Sequence, residues 1–564
     1  MARTMRRRTL NIEIAWARLM SIIDESATAL LRTAFSTIIS GAQDFACQML
    51  DTSARALAHS TKSVAEFAAI MPITTRHLLR KFPPETLRPG DVLTTNDPWL
   101  CAGHLGDIVI VVPVFHRKRL VAFMAALAHM PDIGGTLDDT GARDVHEEGL
   151  WIPPAMLYEA GRPNTLLQDI IAHNVRVPEA VLGDVEAEIA ACHVGATRLI
   201  EFMKEFDLVT LEPIAEDLQR RAEATMREAI RRLPDGVYRQ EMLFDGVAEE
   251  PLRICLRLEV RGDGVHADYD GTSPQVRAGI NSAWNFTYAE TVNAIKSVLC
   301  PSLPSTEGLF RPITVAAPER SILNALPPAP VKGRTRTGFH VPSIVFAALA
   351  EVAPDFVQAG TGVPNLFVAN GIDEQGRRFN AHMLTGGGKG ATARGDGIDC
   401  CLYPTSSSNI PIEIYENRCP FVVEQTALLP DSGGAGRHRG GCGQEIVLRV
   451  HPAFTQPVNL SMRVEMLQQP ALGLFGGRPG GLARIVLNGR QLRRSDQEVI
   501  RGGTVLAPGE RIVIVQPGGG GYGPPAERDP RALVRDLRHG LVTPEGATRD
   551  YGFIPEDVEV AGAR

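Results

Sequence analysis

Hydrophobic residues follow two different periods along the chain, and each period predicts a different kind of structure. Residues 10–39 repeat apolar positions at helical spacing, which predicts an amphipathic helix on a core. Residues 61–81 and 166–233 also have a helical pattern, the second interrupted near Pro178 and Pro213. After these segments, short apolar alternations between turn residues predict strands.

Two apolar runs in the first quarter of the chain flank a short polar connector. The runs are Ile108–Phe115 and Leu120–Ala128, and the connector is His116–Arg119. Such a pattern predicts an antiparallel hairpin. With the turn midway along the connector, the numbers of residues opposite one another sum to roughly 235.

This register brings two copies of the phrase His-x-x-Asp to one rim of the sheet. Asp107 is expected to face Ala128, so His104 and Asp107 lie near His129 and Asp132. Two imidazoles and two carboxylates form a nitrogen and oxygen ligand set for a divalent metal. Histidines at strand ends that simply hydrogen-bond to nearby aspartates are the alternative interpretation.

Composition restricts the class of protein. The 564 residues are 44% hydrophobic and 22% charged, which is typical of a globular protein with more than one domain. A net charge of −7 and the lack of a basic patch argue against a nucleic-acid partner.

Location in the cell is predicted from three features of the sequence. Nine cysteines without a Cys-x-x-Cys pair suggest free thiols in a reducing cytoplasm. No apolar run approaches the length of a membrane span. The Arg6-Arg7-Arg8 run precedes charged rather than apolar residues, so we reject an export signal and expect a cytoplasmic protein.

The pattern as a whole predicts an α+β fold. We expect a mixed α/β domain with the metal-binding hairpin at 1–233, a β-rich domain with glycine-rich turns at 234–524, and a C-terminal helix and tail at 525–564. The boundary near residue 233 marks the change from helical periodicity to strand and turn units.

Three further segments have ambiguous chemistry. Residues 144–151 are typical of a solvated acidic loop, and residues 301–340 of a proline-rich loop whose Arg334 could meet an anionic group or remain solvated. Residues 383–397 contain Gly-Gly-Gly-Lys-Gly, but the phosphate-loop spacing fails, so we expect a glycine-rich surface turn. The chain therefore lacks a recognisable nucleotide site of its own.

Several phrases in fixed order resemble the hydantoinase B/oxoprolinase family, nearly from end to end. They are RTAFSTIISGAQDFACQMLD, NDPWLCAGHLGD, AHMPDIGG, DYDGTSPQVRAGIN, PIEIYE, DSGGAGRHRGG and PGGGGYGPPAERDP. The family includes B-type subunits of ATP-dependent N-methylhydantoinase, 5-oxoprolinase and caprolactamase, and the alpha subunit of acetone carboxylase. The resemblance implies a metal held by Asp44, His104, Asp107 and His129, with Asp132 outside the ligand set.

The resemblance also implies a division of labour between subunits. An A-type partner would bind ATP and phosphorylate the oxygen of a lactam or imide, and this chain would hydrolyse the activated ring with a metal-bound water. Asp132 or His146 is expected to act as general base. Zn, Mn and Fe all suit the ligand set, and a hetero-oligomer such as A2B2 is expected.

Two other functions remain open from the sequence. The chain could be the alpha-type subunit of an ATP-dependent ketone carboxylase, in which the metal stabilises an enolate. It could instead be a non-catalytic scaffold for an A-type subunit, with a structural metal.

Overall fold

The predicted hairpin is the centre of a seven-stranded sheet in the computed structural model, which describes residues 11–138 and 140–554. The strand order is β2-β1-β5-β4-β3-β6-β7, and neighbouring strands are antiparallel. In chain order this part comprises α1 (Ile12–Thr33), α2 (Thr37–Ser40), β1 (Phe45–Leu50), β2 (Ala56–His59), α3 (Phe67–Lys81), β3 (Val92–Thr95), β4 (Asp107–His116), β5 (Arg119–His129), β6 (Ala155–Glu159), β7 (Arg162–Pro163), α4 (Thr165–Asn174), α5 (Pro178–Glu205) and α6 (Glu212–Arg231).

The central strands are apolar at consecutive positions because both faces of the sheet are covered. Ile108 and Ile110 of β4 point into a core formed with α1 and α5. Val109 and Val111 point into a second core on the opposite face. A strand buried on both sides has a continuous apolar run, which is the pattern seen in the sequence.

The remainder of the described chain contains three smaller sheets, with orders β11-β10-β9-β8, β13-β12-β16-β19 and β14-β15-β20-β17-β18. Its elements are β8 (Gly236–Phe244), β9 (Leu252–Arg261), β10 (Gly264–Asp268), α7 (Trp284–Leu299), α8 (Glu307–Phe310), β11 (Ile313–Ala316), α9 (Thr335–Gly338), α10 (Val341–Leu349), β12 (Asn365–Ile372), β13 (Arg378–Thr385), α11 (Ile412–Arg418), β14 (Phe421–Leu428), β15 (Gln444–Val450), β16 (Val458–Arg463), β17 (Arg484–Leu487), β18 (Arg490–Gln491), α12 (Gln497–Arg501), β19 (Gly503–Leu506), β20 (Arg511–Val515), α13 (Pro530–Arg538) and α14 (Pro544–Tyr551).

The α+β class is confirmed, since helices and four sheets occur together in the described residues. One apolar core joins the two sides of residue 233, because Phe67 and Val109 share a cluster with Phe286 and Ile344. The three-part domain division stays a prediction. None of the described helices is long and apolar enough to cross a membrane, and the Arg6-Arg7-Arg8 run lies outside the described residues.

Three local expectations are corrected by the structure. The helix predicted over 10–39 ends at Thr33, and the predicted C-terminal helix is two helices, α13 and α14. The glycines of 383–397 do not form a surface turn: Gly388 is buried, and its backbone N–H donates to the Pro517 carbonyl at 2.9 Å. A Cβ at Gly388 would overlap the carbonyl oxygen of Gly441, so glycine permits this close backbone packing.

The register of the hairpin differs from the prediction by one residue at the metal end. Near the turn Phe115 faces Leu120, as the predicted sum requires. A register shift between Val114 and Phe115 then moves the pairing, and Asp107 faces His129 rather than Ala128. An irregularity of this kind changes which residues oppose one another beyond it.

Candidate metal centre

Three ligand atoms converge where β4 begins and β5 ends. Asp107 Oδ1 lies 2.8 Å from His104 Nε2 and 2.8 Å from His129 Nδ1. The two imidazole rings stack with their centroids 5.0 Å apart. The ligand atoms of these three buried residues all lie within 4.8 Å of one another, which is the spacing that a single metal ion requires.

The protonation of His104 shows that this arrangement suits a cation. His104 Nδ1 lies 3.3 Å from the carbonyl oxygen of Lys332, which can only accept, so we assign the proton to Nδ1. Burial, and next the Arg334 guanidinium, lower the pKa of His104 to about 3, so the ring is neutral. Nε2 therefore carries a lone pair; it is buried and has no hydrogen-bond partner in the described part of the chain.

The Asp107 carboxylate, which faces His104 Nε2, cannot donate a hydrogen bond to the lone pair of that nitrogen. Burial opposes ionisation of Asp107, but the Arg334 guanidinium, 2.9 Å from its Oδ2, holds the pKa of the carboxyl well below the ordinary value, so Asp107 is an acceptor as well. Two acceptor atoms 2.8 Å apart repel one another unless a cation lies between them. The donor set therefore fits a divalent metal.

Arg334 is the second contact of the Asp107 carboxylate. Its guanidinium donates to Asp107 Oδ2 at 2.9 Å from a position 227 residues further along the chain. Its guanidinium carbon lies 4.3 Å from the ring centroid of Phe286. The expectation of a solvated loop is thus corrected here, because Arg334 is buried against the candidate centre.

Gly106 allows the two imidazoles to approach each other. A Cβ at this position would lie 2.8 Å from His129 Cε1 and 2.9 Å from His104 Cε1. Both separations are too short for carbon atoms that are not bonded, so a side chain here would displace the rings.

Asp44 reaches the same cavity but lies outside the group of three. It directly precedes β1, and its carbonyl oxygen accepts the His129 backbone N–H at 3.1 Å. Its side chain lines a cavity with His104 and His129. Burial raises the pKa of Asp44, and His129 opposes that rise.

The two residues predicted to transfer protons, Asp132 and His146, do not belong to the group of three. Asp132 accepts hydrogen bonds from Arg176 on both carboxylate oxygens, one at 2.7 Å from the guanidinium and one from the backbone N–H. His146 is exposed, and its ring centroid is 5.7 Å from that of Trp151. It lines neither of the two cavities at the centre.

Two cavities, each with a free volume of about 60 Å³, meet at the histidine pair. His104 and His129 line both of them. We name the first the apolar cavity: it is lined by three aromatic side chains and also by two carboxylates. Those residues are Phe67, Phe286, Phe339, Asp44 and Glu66. The other, the polar cavity, is lined by Arg176, Lys332, Asn380 and Asp132 among others.

Sequence reasoning missed several residues of these cavities. The ring of His382 on β13 lies 6.0 Å from that of His129, and burial lowers its pKa well below the ordinary value. Glu148 is 1% exposed rather than solvated, and its Oε1 accepts the Lys332 backbone N–H at 2.7 Å. Burial raises the pKa of Glu148 to about 7. No local pattern marks His382, whereas Glu148 was visible only as part of an acidic segment.

Comparisons with known proteins extend over the whole fold. Residues 8–525 match the family described as Hydantoinase B/oxoprolinase. A protein of Pseudomonas sp. (strain NS671), named for the B component of a D-/L-hydantoinase, is 30% identical over 98% of this chain and 96% of its own. The crystal structure of ATP-dependent caprolactamase from Pseudomonas jessenii is 26% identical and superposes with a TM-score of 0.87 over 97% of both chains.

A more distant structure shares the fold alone. Nucleotide-free acetone carboxylase superposes with a TM-score of 0.83 over 96% of this chain and 79% of its own, at 17% identity. Identity at that level supports an architecture and not a reaction.

Proposed function

The chain belongs to the hydantoinase B/oxoprolinase family, and from this premise we propose that it is the metal-dependent, ring-opening subunit of an ATP-dependent assembly that hydrolyses a cyclic amide. The names of its relatives, the B component of a hydantoinase and an ATP-dependent caprolactamase, support this choice of substrate class and of a multi-subunit assembly. The partner in this proposal is an A-type subunit that binds ATP, in a hetero-oligomer such as A2B2.

One observation carries the proposal: the buried, unpartnered Nε2 of His104 faces the Asp107 carboxylate beside His129. We propose that His104, Asp107 and His129 hold a divalent cation (Zn, Mn or Fe) and that Asp44 completes the set from the apolar cavity. When bound, such a cation lowers the pKa of a water molecule and polarises a carbonyl oxygen.

The remaining residues prepare the site for this chemistry. The Lys332 carbonyl fixes the tautomer of His104. Arg334 balances the charge of Asp107. The aromatic side chains of Phe67, Phe286 and Phe339 line the apolar cavity and would keep bulk water away from the ring of the cyclic amide.

We revise the roles proposed from the sequence for proton transfer. Because Arg176 occupies both oxygens of Asp132, we assign Asp132 to positioning the 129–132 turn. Because His146 is exposed and lines neither cavity, we assign it no role in the reaction.

Metal analysis combined with kinetics tests the proposal. The chain is purified with its A-type partner, and ATP-dependent opening of a lactam and of a hydantoin is measured for wild type, His104→Ala and His116→Ala. His116 is the matched control because it is a buried histidine at the other end of the same strand. We expect His104→Ala to lose bound metal and at least 100-fold in activity, and His116→Ala to keep both.

The outcomes also separate the alternatives. If the assembly fixes labelled bicarbonate onto a ketone and opens no ring, the carboxylase function replaces ours. If His104→Ala loses metal and assembly but a reassembled complex turns over normally, the scaffold function replaces it. Ring opening by this chain without ATP and without a partner would contradict the two-subunit scheme.

A further inference from the structure

One oxygen of a buried carboxyl group in the apolar cavity has no hydrogen-bond partner among the described residues. Glu66 is 3% exposed, and its Oε2 has no hydrogen-bond partner among the described residues. It is the N-cap residue of α3, where a carboxylate normally accepts a backbone N–H of the first turn. Here the side chain makes no such bond and instead lines the cavity that contains His104 and His129.

A second buried carboxyl group lies on α7, the helix that packs against α3. Glu290 on α7 is fully buried, and neither of its oxygens has a hydrogen-bond partner in the described chain. The charges that act on Glu66 are those of Asp44 and Asp107, which raise its pKa, and that of Arg334, which lowers it. Burial is the largest influence, and it raises the pKa of Glu66 to about 8.

This environment favours a carboxyl group that keeps its proton at neutral pH. An unpartnered oxygen beside aromatic walls and other carboxylates is destabilised as an anion and stabilised as a neutral acid. Arg334 lines the same cavity and favours the anion, but burial has the larger effect. Burial likewise raises the pKa of Glu290 well above its ordinary value, and the negative charge of Glu66 adds to that rise. The pair therefore resists losing its protons.

We propose that Glu66 is the acid that protonates the ring nitrogen as it leaves, and so decides which bond of the activated amide breaks. This inference rests on the proposed function, with the further premise, implied by the family resemblance, that the A-type partner phosphorylates the oxygen of the substrate. Addition of water-derived hydroxide to the ring carbon forms a tetrahedral centre that carries both a nitrogen and a phosphate. Either group can leave from it.

The two departures give different products. Loss of phosphate breaks the C–O bond, and release of the hydroxyl proton restores the carbonyl, so the lactam returns and ATP has been hydrolysed without result. Loss of nitrogen breaks the C–N bond, and its electron pair needs a proton, because an unprotonated amide nitrogen is a very poor leaving group. Glu66 supplies that proton and regains one from the attacking water, and the carbon keeps its phosphate as an acyl phosphate. A second water hydrolyses this acyl phosphate, so two waters are consumed and one phosphate is released for each ring opened.

The coupling between ATP hydrolysis and ring opening therefore measures the role of Glu66. In the holo assembly with its A-type partner, phosphate release and ring opening are counted together for wild type and Glu66→Gln. We expect ring opening to fall about 100-fold or more, the usual contribution of a general acid, while phosphate release continues. The number of phosphates released per ring opened then rises by about the same factor. Glu66→Asp should have a ratio between those of wild type and Glu66→Gln.

Glu188 provides the matched control. It is a fully buried glutamate with two unpartnered oxygens and a raised pKa, but it lies on α5, and neither cavity at the metal centre includes it. Glu188→Gln should keep the wild-type ratio whatever it does to stability. Thermal unfolding and metal content are measured for each variant, so that a folding defect is visible.

The result that overturns the inference is a proportional change. If Glu66→Gln lowers phosphate release and ring opening equally, or changes neither, Glu66 does not select the bond that breaks. If Glu188→Gln raises the ratio as much as Glu66→Gln, the effect belongs to any buried carboxyl group and the inference also fails. A wild-type assembly that shows no ATP-dependent ring opening would contradict the proposed function itself.

Discussion

The two ends of the β4–β5 hairpin both bury a histidine, yet only one of them forms a candidate metal centre. His116 at the turn is 6% exposed and His129 at the other end is 8% exposed. Burial and the positive charges of Arg117 and Lys204 lower the pKa of His116. At the other end Asp107 Oδ1 lies 2.8 Å from His129. The metal end of the hairpin thus differs from the turn because an anionic oxygen and a second imidazole converge on the buried histidine there, which is a donor set that suits a metal.

The largest effect should follow from removing the charge that distinguishes the two ends. In Asp107→Asn, Arg334 loses its 2.9 Å ion pair while remaining 4% exposed. Breaking one partner of a buried pair costs about 3–5 kcal/mol, so we expect the free energy of unfolding to fall by about that amount, together with loss of bound metal. Denaturant unfolding and elemental analysis measure both. Unchanged stability would show that Arg334 is solvated or paired elsewhere.

A smaller effect should follow from spreading the two imidazoles apart. In Gly106→Ala the new Cβ would lie 2.8 Å from His129 Cε1, so we expect metal affinity to fall by about 10–100-fold. Gly395→Ala is the control, because a Cβ there has no neighbour within 4 Å. Equal affinities in titrations of the two variants with metal would argue that the rings have room to move.

Lowering the pH should reduce the stability of the metal-free protein, because His104 at the metal end of the hairpin is buried as a neutral imidazole. The pKa of His104 is about 3 in the folded chain against an ordinary value of 6.5, so the unfolded chain takes up a proton that the folded one refuses. His104 therefore leaves the free energy of unfolding unchanged above pH 6.5 and lowers it as the pH falls from 6.5 toward 3. We expect the loss between about pH 7 and pH 4 to be smaller in His104→Ala, measured by urea unfolding in the presence of a chelator. Identical pH dependence in both proteins would contradict a neutral, buried His104.

The smallest effect belongs to the charged pair at the turn. Arg117 donates to Asp207 at 2.8 Å, and both side chains are at least half exposed. Exposed pairs contribute about 0–1 kcal/mol, so Asp207→Asn should change the free energy of unfolding by less than about 1 kcal/mol and leave metal content unaltered. A cost near that of Asp107→Asn would remove the contrast between the two ends.

Much of the fold follows from local pattern. The interruptions near Pro178 and Pro213 correspond to the starts of α5 and α6, because proline is favoured in the first turn of a helix and not further inside it. The strands β4 (Asp107–His116) and β5 (Arg119–His129) contain the two predicted apolar runs. Residues close in sequence decide these elements, so their periodicity is visible without a structure.

The candidate metal centre includes contacts that the local sequence pattern does not predict. The hairpin pattern predicts that His104, Asp107 and His129 share one rim, because a hairpin is a local structure whose register follows from its turn. The register shift that sets Asp107 opposite His129 arises inside the hairpin, between Val114 and Phe115, where the apolar run shows no interruption. The arrival of Arg334 and His382 and the burial of Glu66 in the same cavity depend on tertiary packing. These contacts join distant segments through single side chains, and an isolated contact leaves no periodic pattern in the sequence.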